Sequence, residues 1–222
     1  NSQFSLAHYF VAISYFEKEL YAEALESIKT ESLAESVNEE VYCLLGKCHR
    51  VMKNFQEAYY AFEKALERNP DYIPALIAIG KICIAEKKLK TAGDFLHRAL
   101  GISKKPDLEL LYTLGELYKL EGKSEKSREC FEKVFEIDES YESAANELGE
   151  YYFTMKDYKN AKIMYEKNIL LNPSEPNAFL KLGVICRKEN KFSDAERFIL
   201  KAVSLSPASF PAHYEMGLIE EH

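Results

Sequence analysis

Residues 39–72 read EEVYCLLGKCHRVMKNFQEAYYAFEKALERNPDY. Tyr42, Leu45, Gly46 and His49 are spaced 3, 1 and 3; after Lys53-Asn54 the pattern restarts with Phe55, Ala58, Phe62 and Ala65, spaced 3, 4 and 3. Both sets fall on one face of a 3.6-residue helical period. Asn69-Pro70 closes the stretch, because proline lacks a backbone N–H and biases its predecessor away from helical angles. The spacing predicts two short amphipathic helices joined by a tight turn.

The same pattern recurs along the chain. Ala12, Gly46, Gly80, Gly115, Gly149, Gly183 and Gly217 lie 34, 34, 35, 34, 34 and 34 residues apart, and Ala24, Ala58, Ala92, Ser127, Ala161 and Ala195 run in phase with them. All seven prolines (Pro70, Pro74, Pro106, Pro173, Pro176, Pro207 and Pro211) fall at the junctions between periods. A single globular core imposes no such rhythm, whereas a stacked array of helix pairs does. The boundaries are 5–38, 39–72, 73–107, 108–141, 142–175 and 176–209, with a partial unit over 210–222. The first unit is the poorest match: Ile28 and Glu31 depart from the pattern and Glu31–Asn38 is polar. The chain starts at Asn1 and stops at His222, inside the first helix of a seventh unit, and it is expected to be a piece of a longer array.

These residues resemble the tetratricopeptide repeat, whose pattern is an aromatic, Leu-Gly and Tyr on the first helix, then Ala, an aromatic, Ala and a closing Pro on the second. Residues 39–72 supply Tyr42, Leu45-Gly46, Ala58, Phe62, Ala65 and Pro70, with His49 in the Tyr place. Residues 142–175 supply Leu148-Gly149, Tyr152, Ala161, Tyr165 and Pro173, with departures at Ala145 and Asn168. The resemblance implies an all-α fold, a right-handed superhelical solenoid of helix–turn–helix repeats. It also implies a protein-interaction scaffold, as in subunits of large assemblies such as the anaphase-promoting complex, with a protein or peptide ligand held in a concave groove. A targeting or regulatory segment of a longer enzyme or organelle import receptor is the alternative.

In the resembling family the second, fifth, ninth, twelfth and thirteenth residues of each unit face that groove. The candidate partner-binding residues are therefore Lys47, Arg50, Ile77, Lys81, Ile84, Tyr112, Glu116, Asn146, Glu150, Phe153 and Arg187. Their charges are zoned: basic at Lys47, Arg50 and Lys81, acidic at Glu116 and Glu150, basic again at Arg187 and Lys188. One branch of the family grips chaperone tails with Lys and Asn four apart on one first helix, and Lys and Arg four apart on a later one. The corresponding pairs here are Tyr9 and Ile13, Cys43 and Lys47, Ile77 and Lys81, and Tyr112 and Glu116, so that clamp is absent.

A net charge of −7 argues against nucleic acid as the primary partner. The longest uncharged apolar runs, such as Ile73–Gly80, are too short to cross a bilayer. The five scattered cysteines suit a reducing compartment, cytoplasmic or nuclear. Cys43, Cys48 and His49 form a Cys/His cluster, but Cys43 and Cys48 stand five apart on one helix and point different ways, so no metal site is expected. With no phosphate-binding glycine loop and no nucleophile elbow, no catalytic residue and no cofactor are expected. Tyr214, Met216, Leu218 and Ile219 lie in the final helix with no second helix to cover them, and self-association through that helix is expected.

Overall fold

The computed structural model describes residues 2–32, 38–105 and 107–220; Pro106, His222 and residues 33–37 of the polar Glu31–Asn38 stretch lie outside that range. Thirteen α-helices and no strand occur among the described residues. They group into two compact units. In residues 1–121 these are α1 (Ser2–Glu17), α2 (Tyr21–Ser32), α3 (Glu39–Val51), α4 (Phe55–Arg68), α5 (Ile73–Ala85), α6 (Leu89–Ile102) and α7 (Leu108–Leu120). In residues 122–222 they are α8 (Ser124–Ile137), α9 (Glu142–Thr154), α10 (Tyr158–Leu171), α11 (Pro176–Lys188), α12 (Phe192–Leu205) and α13 (Phe210–Glu220).

The small residues of the ladder are packing devices. A Cβ added at Gly46 would lie 2.6 Å from Phe62 Cε1, one at Gly80 would lie 2.6 Å from Leu96 Cδ2, and one at Gly149 would lie 2.7 Å from Tyr165 Cε1. Gly183 is closed off in the same way by Ile199. Each of these four glycines thus receives the large side chain that stands four residues after the small one of the second helix, whereas a Cβ at Gly217, the last of the ladder, would meet nothing within 4 Å. Phe62, Leu96, Tyr165 and Ile199 are fully buried as a result. The first repeat packs despite its poor match to the pattern: Ala12, Ala24 and Ile28 have no exposed surface and join Leu25, Val41, Leu44 and Cys48 in one cluster.

The turn inside each repeat has a fixed chemistry. Glu19, Lys53, Lys87, Gly122, Lys156 and Asn190 all adopt left-handed backbone angles, with φ between 59° and 74°. Around Lys87, the Lys88 N–H donates to Cys83 O at 2.8 Å and the Lys87 N–H to Ile84 O at 2.9 Å. The same pair of bonds closes α3, α9 and α11. This is the Schellman arrangement, which satisfies the last carbonyls of a helix and turns the chain back on itself.

The final helix departs from the expectation of an uncovered apolar face. Ile219 is buried and, with Met216, packs against Cys186, Ala195 and Ile199. The register of α13 turns these two residues toward the preceding repeat. Its exposed apolar surface consists mainly of Phe210 and Tyr214, whose rings stack at 6.4 Å.

Candidate partner-binding faces

In residues 1–121 the first helices α1, α3, α5 and α7 adjoin one another in sequence order. Lys47 and Arg50 stand part-buried on α3, and Lys81 and Ile84 part-buried on α5. Lys81 Nζ meets Glu109 Oε1 of α7 at 2.7 Å. Burial works to raise the Glu109 carboxyl; the Lys81 ammonium and the fields of Lys47 and Arg50 outweigh it and hold the group below its ordinary value. All three basic candidates therefore gather around one carboxylate. Val51, 37% exposed, adds apolar surface on α3.

Two groove positions turn inward instead. Ile77 is only 2% exposed and belongs to the core, not to a partner face, because α5 is apolar around nearly its whole circumference. Cys43 is likewise buried, and its thiol is pushed up to about 11 by that burial, Lys47 opposing. Such a thiol is a packing group rather than a nucleophile. Tyr112 and Glu116 of α7 are part-exposed.

In residues 122–222 the candidate charges Glu150 and Arg187 are both paired. Glu150 of α9 accepts from Lys181 Nζ at 2.8 Å and Asn177 Nδ2 at 3.2 Å, both on α11. Burial works to raise the Glu150 carboxyl, and these donors outweigh it to give a net lowering. The Lys181 ammonium also lies over the Phe153 ring, 4.5 Å from its centre. Arg187 Nε meets Glu215 Oε2 of α13 at 2.8 Å. Asn146 is part-buried, and its Oδ1 is buried with no hydrogen-bond partner among the described residues.

The charge zoning is thus corrected at three residues. Lys81, Glu150 and Arg187 are each one half of an ion pair that joins one first helix to the next. The zoning left out their partners, Glu109, Lys181 and Glu215, each of which lies 28 to 31 residues further on. Lys47 breaks the series. It holds the ninth place of its repeat, as Lys81 does, but the residue at the second place of the following repeat is Pro74 where Lys81 has Glu109. Neither Lys47 nor Arg50 forms an ion pair among the described residues. No three His, Cys, Asp or Glu side chains among those residues are grouped so as to hold a metal ion, and no described helix is long and apolar enough to cross a membrane.

Family models described as tetratricopeptide repeat match residues 39–72, 108–141, 143–175 and 176–209, well over half of the chain. The chain belongs to the tetratricopeptide repeat family. Among solved structures, this tetratricopeptide repeat chain is similar to one from a functional characterization of Pseudomonas aeruginosa PilF, with a TM-score of 0.88, 16% identity and 98% of each chain covered. It is also similar to the anaphase-promoting complex hetero-tetramer Cut9–Hcn1, with a TM-score of 0.82, 14% identity, and 97% of this chain and 42% of that one covered. At these identities the likeness is one of fold. The BBSome complex member BBS4 homolog of Drosophila melanogaster is 20% identical over 179 residues, 81% of this chain and 37% of that protein. The chain therefore spans little more than a third of that relative's length.

Proposed function

We propose that this chain is a non-catalytic protein-interaction scaffold of a multi-subunit assembly, and that it holds an acidic segment of a partner on the face formed by α3, α5 and α7. The observation that carries the reading is the break in the ion-pair series at Lys47. At Lys81 and Glu150 the ninth-place charge is neutralised by the next repeat; where Lys81 has Glu109, the corresponding residue for Lys47 is Pro74, and Glu109, whose carboxyl feels both the Lys47 and Arg50 cations, is already engaged by Lys81. A carboxylate from a partner supplies the missing charge, while Ile84 and Val51 take apolar side chains beside it. Charge then fixes register and the apolar contacts supply affinity. The assembly role is supported by the relatives, two of which carry the names of the BBSome and the anaphase-promoting complex. We place the protein in the cytoplasm or nucleus, where its five free thiols are kept reduced.

The test is a comparison of charge reversals. Lys47→Glu with Arg50→Glu is the informative pair, since reversing Lys81 would set two carboxylates against each other and disturb α5 and α7. Proteins retained from native extract by the parent chain are identified by mass spectrometry, and one is titrated against the variants. The double variant is expected to bind about tenfold more weakly or worse, with a flatter salt dependence. Reversal of Lys64 and Lys133, on second helices, is expected to leave binding unchanged. Equal binding by all three proteins would remove the α3–α5–α7 face from consideration.

A further inference from the structure

A different surface departs from the repeat register at one residue, beside a cation that has lost its acidic partner. The twenty-fifth residue of the second to fifth repeats is Glu63, His97, Glu132 and Glu166, polar each time; in the sixth it is Leu200. Leu200 is 52% exposed. The twenty-sixth residue is basic in every one of these repeats: Lys64, Arg98, Lys133, Lys167 and Lys201. Arg98 pairs with Asp71 at 3.4 Å and Lys167 with Glu139 at 2.9 Å, in each case an acid at the end of the preceding repeat. For Lys201 the corresponding residues are Pro173 and Ser174, and Lys201, like Lys133, forms no ion pair among the described residues; Lys201 alone has an apolar neighbour, Leu200, at the twenty-fifth place.

These two residues border a cleft. Phe179 of α11 stands beside a stripe on α12 formed by Arg197, Phe198, Leu200, Lys201 and Ser204. The floor is apolar, made by the two phenyl rings and Leu200. Arg197 lies over the Phe198 ring at 5.2 Å, and its ion pair with Asp194, at 3.3 Å between well-exposed side chains, is of the kind worth little. An apolar floor with two cations at its edge is set in a chain whose net charge is −7.

We infer that this α11–α12 cleft is a second docking site, taking a short acidic amphipathic segment of a partner protein. Apolar side chains of the segment cover Phe179, Phe198 and Leu200, and its carboxylates meet Lys201 and Arg197. Arg197, Leu200, Lys201 and Ser204 stand at i, i+3, i+4 and i+7 and so share one face of α12, along which an amphipathic helix can lie. An anionic membrane would meet the same two cations, but the acidic charge of the rest of the chain opposes approach to a large anionic surface.

The probe is a labelled synthetic peptide of Leu and Glu with its leucines on one helical face; a Leu/Lys peptide of the same pattern and phosphatidylserine vesicles are the comparisons. Binding is followed by fluorescence anisotropy and by NMR shifts of the Leu200 methyls. The Leu/Glu peptide is expected to bind, to shift the Leu200 signals, and to lose about tenfold in affinity with Lys201→Glu or Leu200→Glu. Both positions are exposed, and circular dichroism melts of the variants establish that they fold; Lys201→Gln provides a milder change. In the Lys47→Glu, Arg50→Glu variant the peptide is expected to shift the Leu200 signals over the same concentration range as in the parent, which separates this site from the α3–α5–α7 face. Equal binding of the Leu/Lys peptide, binding to the vesicles in preference to the peptide, or indifference to both Lys201 substitutions would overturn the proposal. So would a concentration-dependent dimer abolished by Leu200→Glu, which would make a second copy the occupant.

Discussion

Glycine serves opposite purposes at Gly149 and Gly101, and the same substitution separates them. Ala is favoured over Gly inside a helix by about 1 kcal/mol, mainly through the entropy of the unfolded chain. At Gly149 the new methyl would sit 2.7 Å from Cε1 of Tyr165, a ring with no exposed surface and no room to retreat. Overpacking of this kind costs about 1–3 kcal/mol, so the clash exceeds the helix gain. Gly149→Ala is expected to lower stability by about 1 kcal/mol or more in a denaturant titration. At Gly101 a Cβ meets nothing within 4 Å, and only the helix term remains. Gly101→Ala is expected to raise stability by about 0.5 kcal/mol. Equal signs at the two sites would show that the close approach of α9 and α10 is not what keeps Gly149 small.

At the scale of the helix pair, the strongest constraint is the left-handed residue that closes each first helix. Five of the six such positions carry a side chain with a Cβ, and Gly122 is the sixth. An L-residue in this conformation pays about 1 kcal/mol, less for Asn. Lys87→Gly is expected to stabilise the protein by a few tenths to about 1 kcal/mol, the relief of strain exceeding the entropy that glycine adds to the unfolded chain. Gly122→Ala is expected to do the reverse, and a pair of thermal melts checks both. This constraint was not legible in the sequence, because four of the positions are held by Glu or Lys and look like ordinary solvated surface. The glycine and alanine ladder was legible, since close packing admits only small residues at Gly46, Gly80, Gly149 and Gly183 and so repeats the demand from period to period. The candidate faces were half legible. Periodicity says which residues of a first helix point one way, but Lys81–Glu109, Glu150–Lys181 and Arg187–Glu215 are pairings between repeats, and charge counted along one helix hides them. Ile77 was misplaced for a related reason: a helix apolar on every side has no face that hydropathy can distinguish.

At the scale of the whole molecule, order in the chain becomes order in space. In residues 1–121 the helix contacts join elements one or two places apart: α1 to α2 and α3, α3 to α4 and α5, α5 to α6 and α7. Few contacts span more than about one repeat, so stability is a sum of repeat terms and nearest-neighbour terms rather than one indivisible quantity. Ile28 provides the test. It is fully buried in the cluster that ties α1 and α2 to Val41, Leu44 and Cys48 of α3. Ile28→Ala leaves a cavity there and costs about 2–5 kcal/mol locally. In a single cooperative globule that loss would appear at every amide whose exchange needs global unfolding. With neighbour-limited contacts, hydrogen–deuterium exchange is expected to accelerate in α1, α2 and the adjoining face of α3. The amides of α6 and α7, which share no contact with the altered cluster, are expected to keep their protection. Uniform acceleration through α7 would mean that the repeats of this unit unfold together, and that coupling between neighbours exceeds the stability of any one of them.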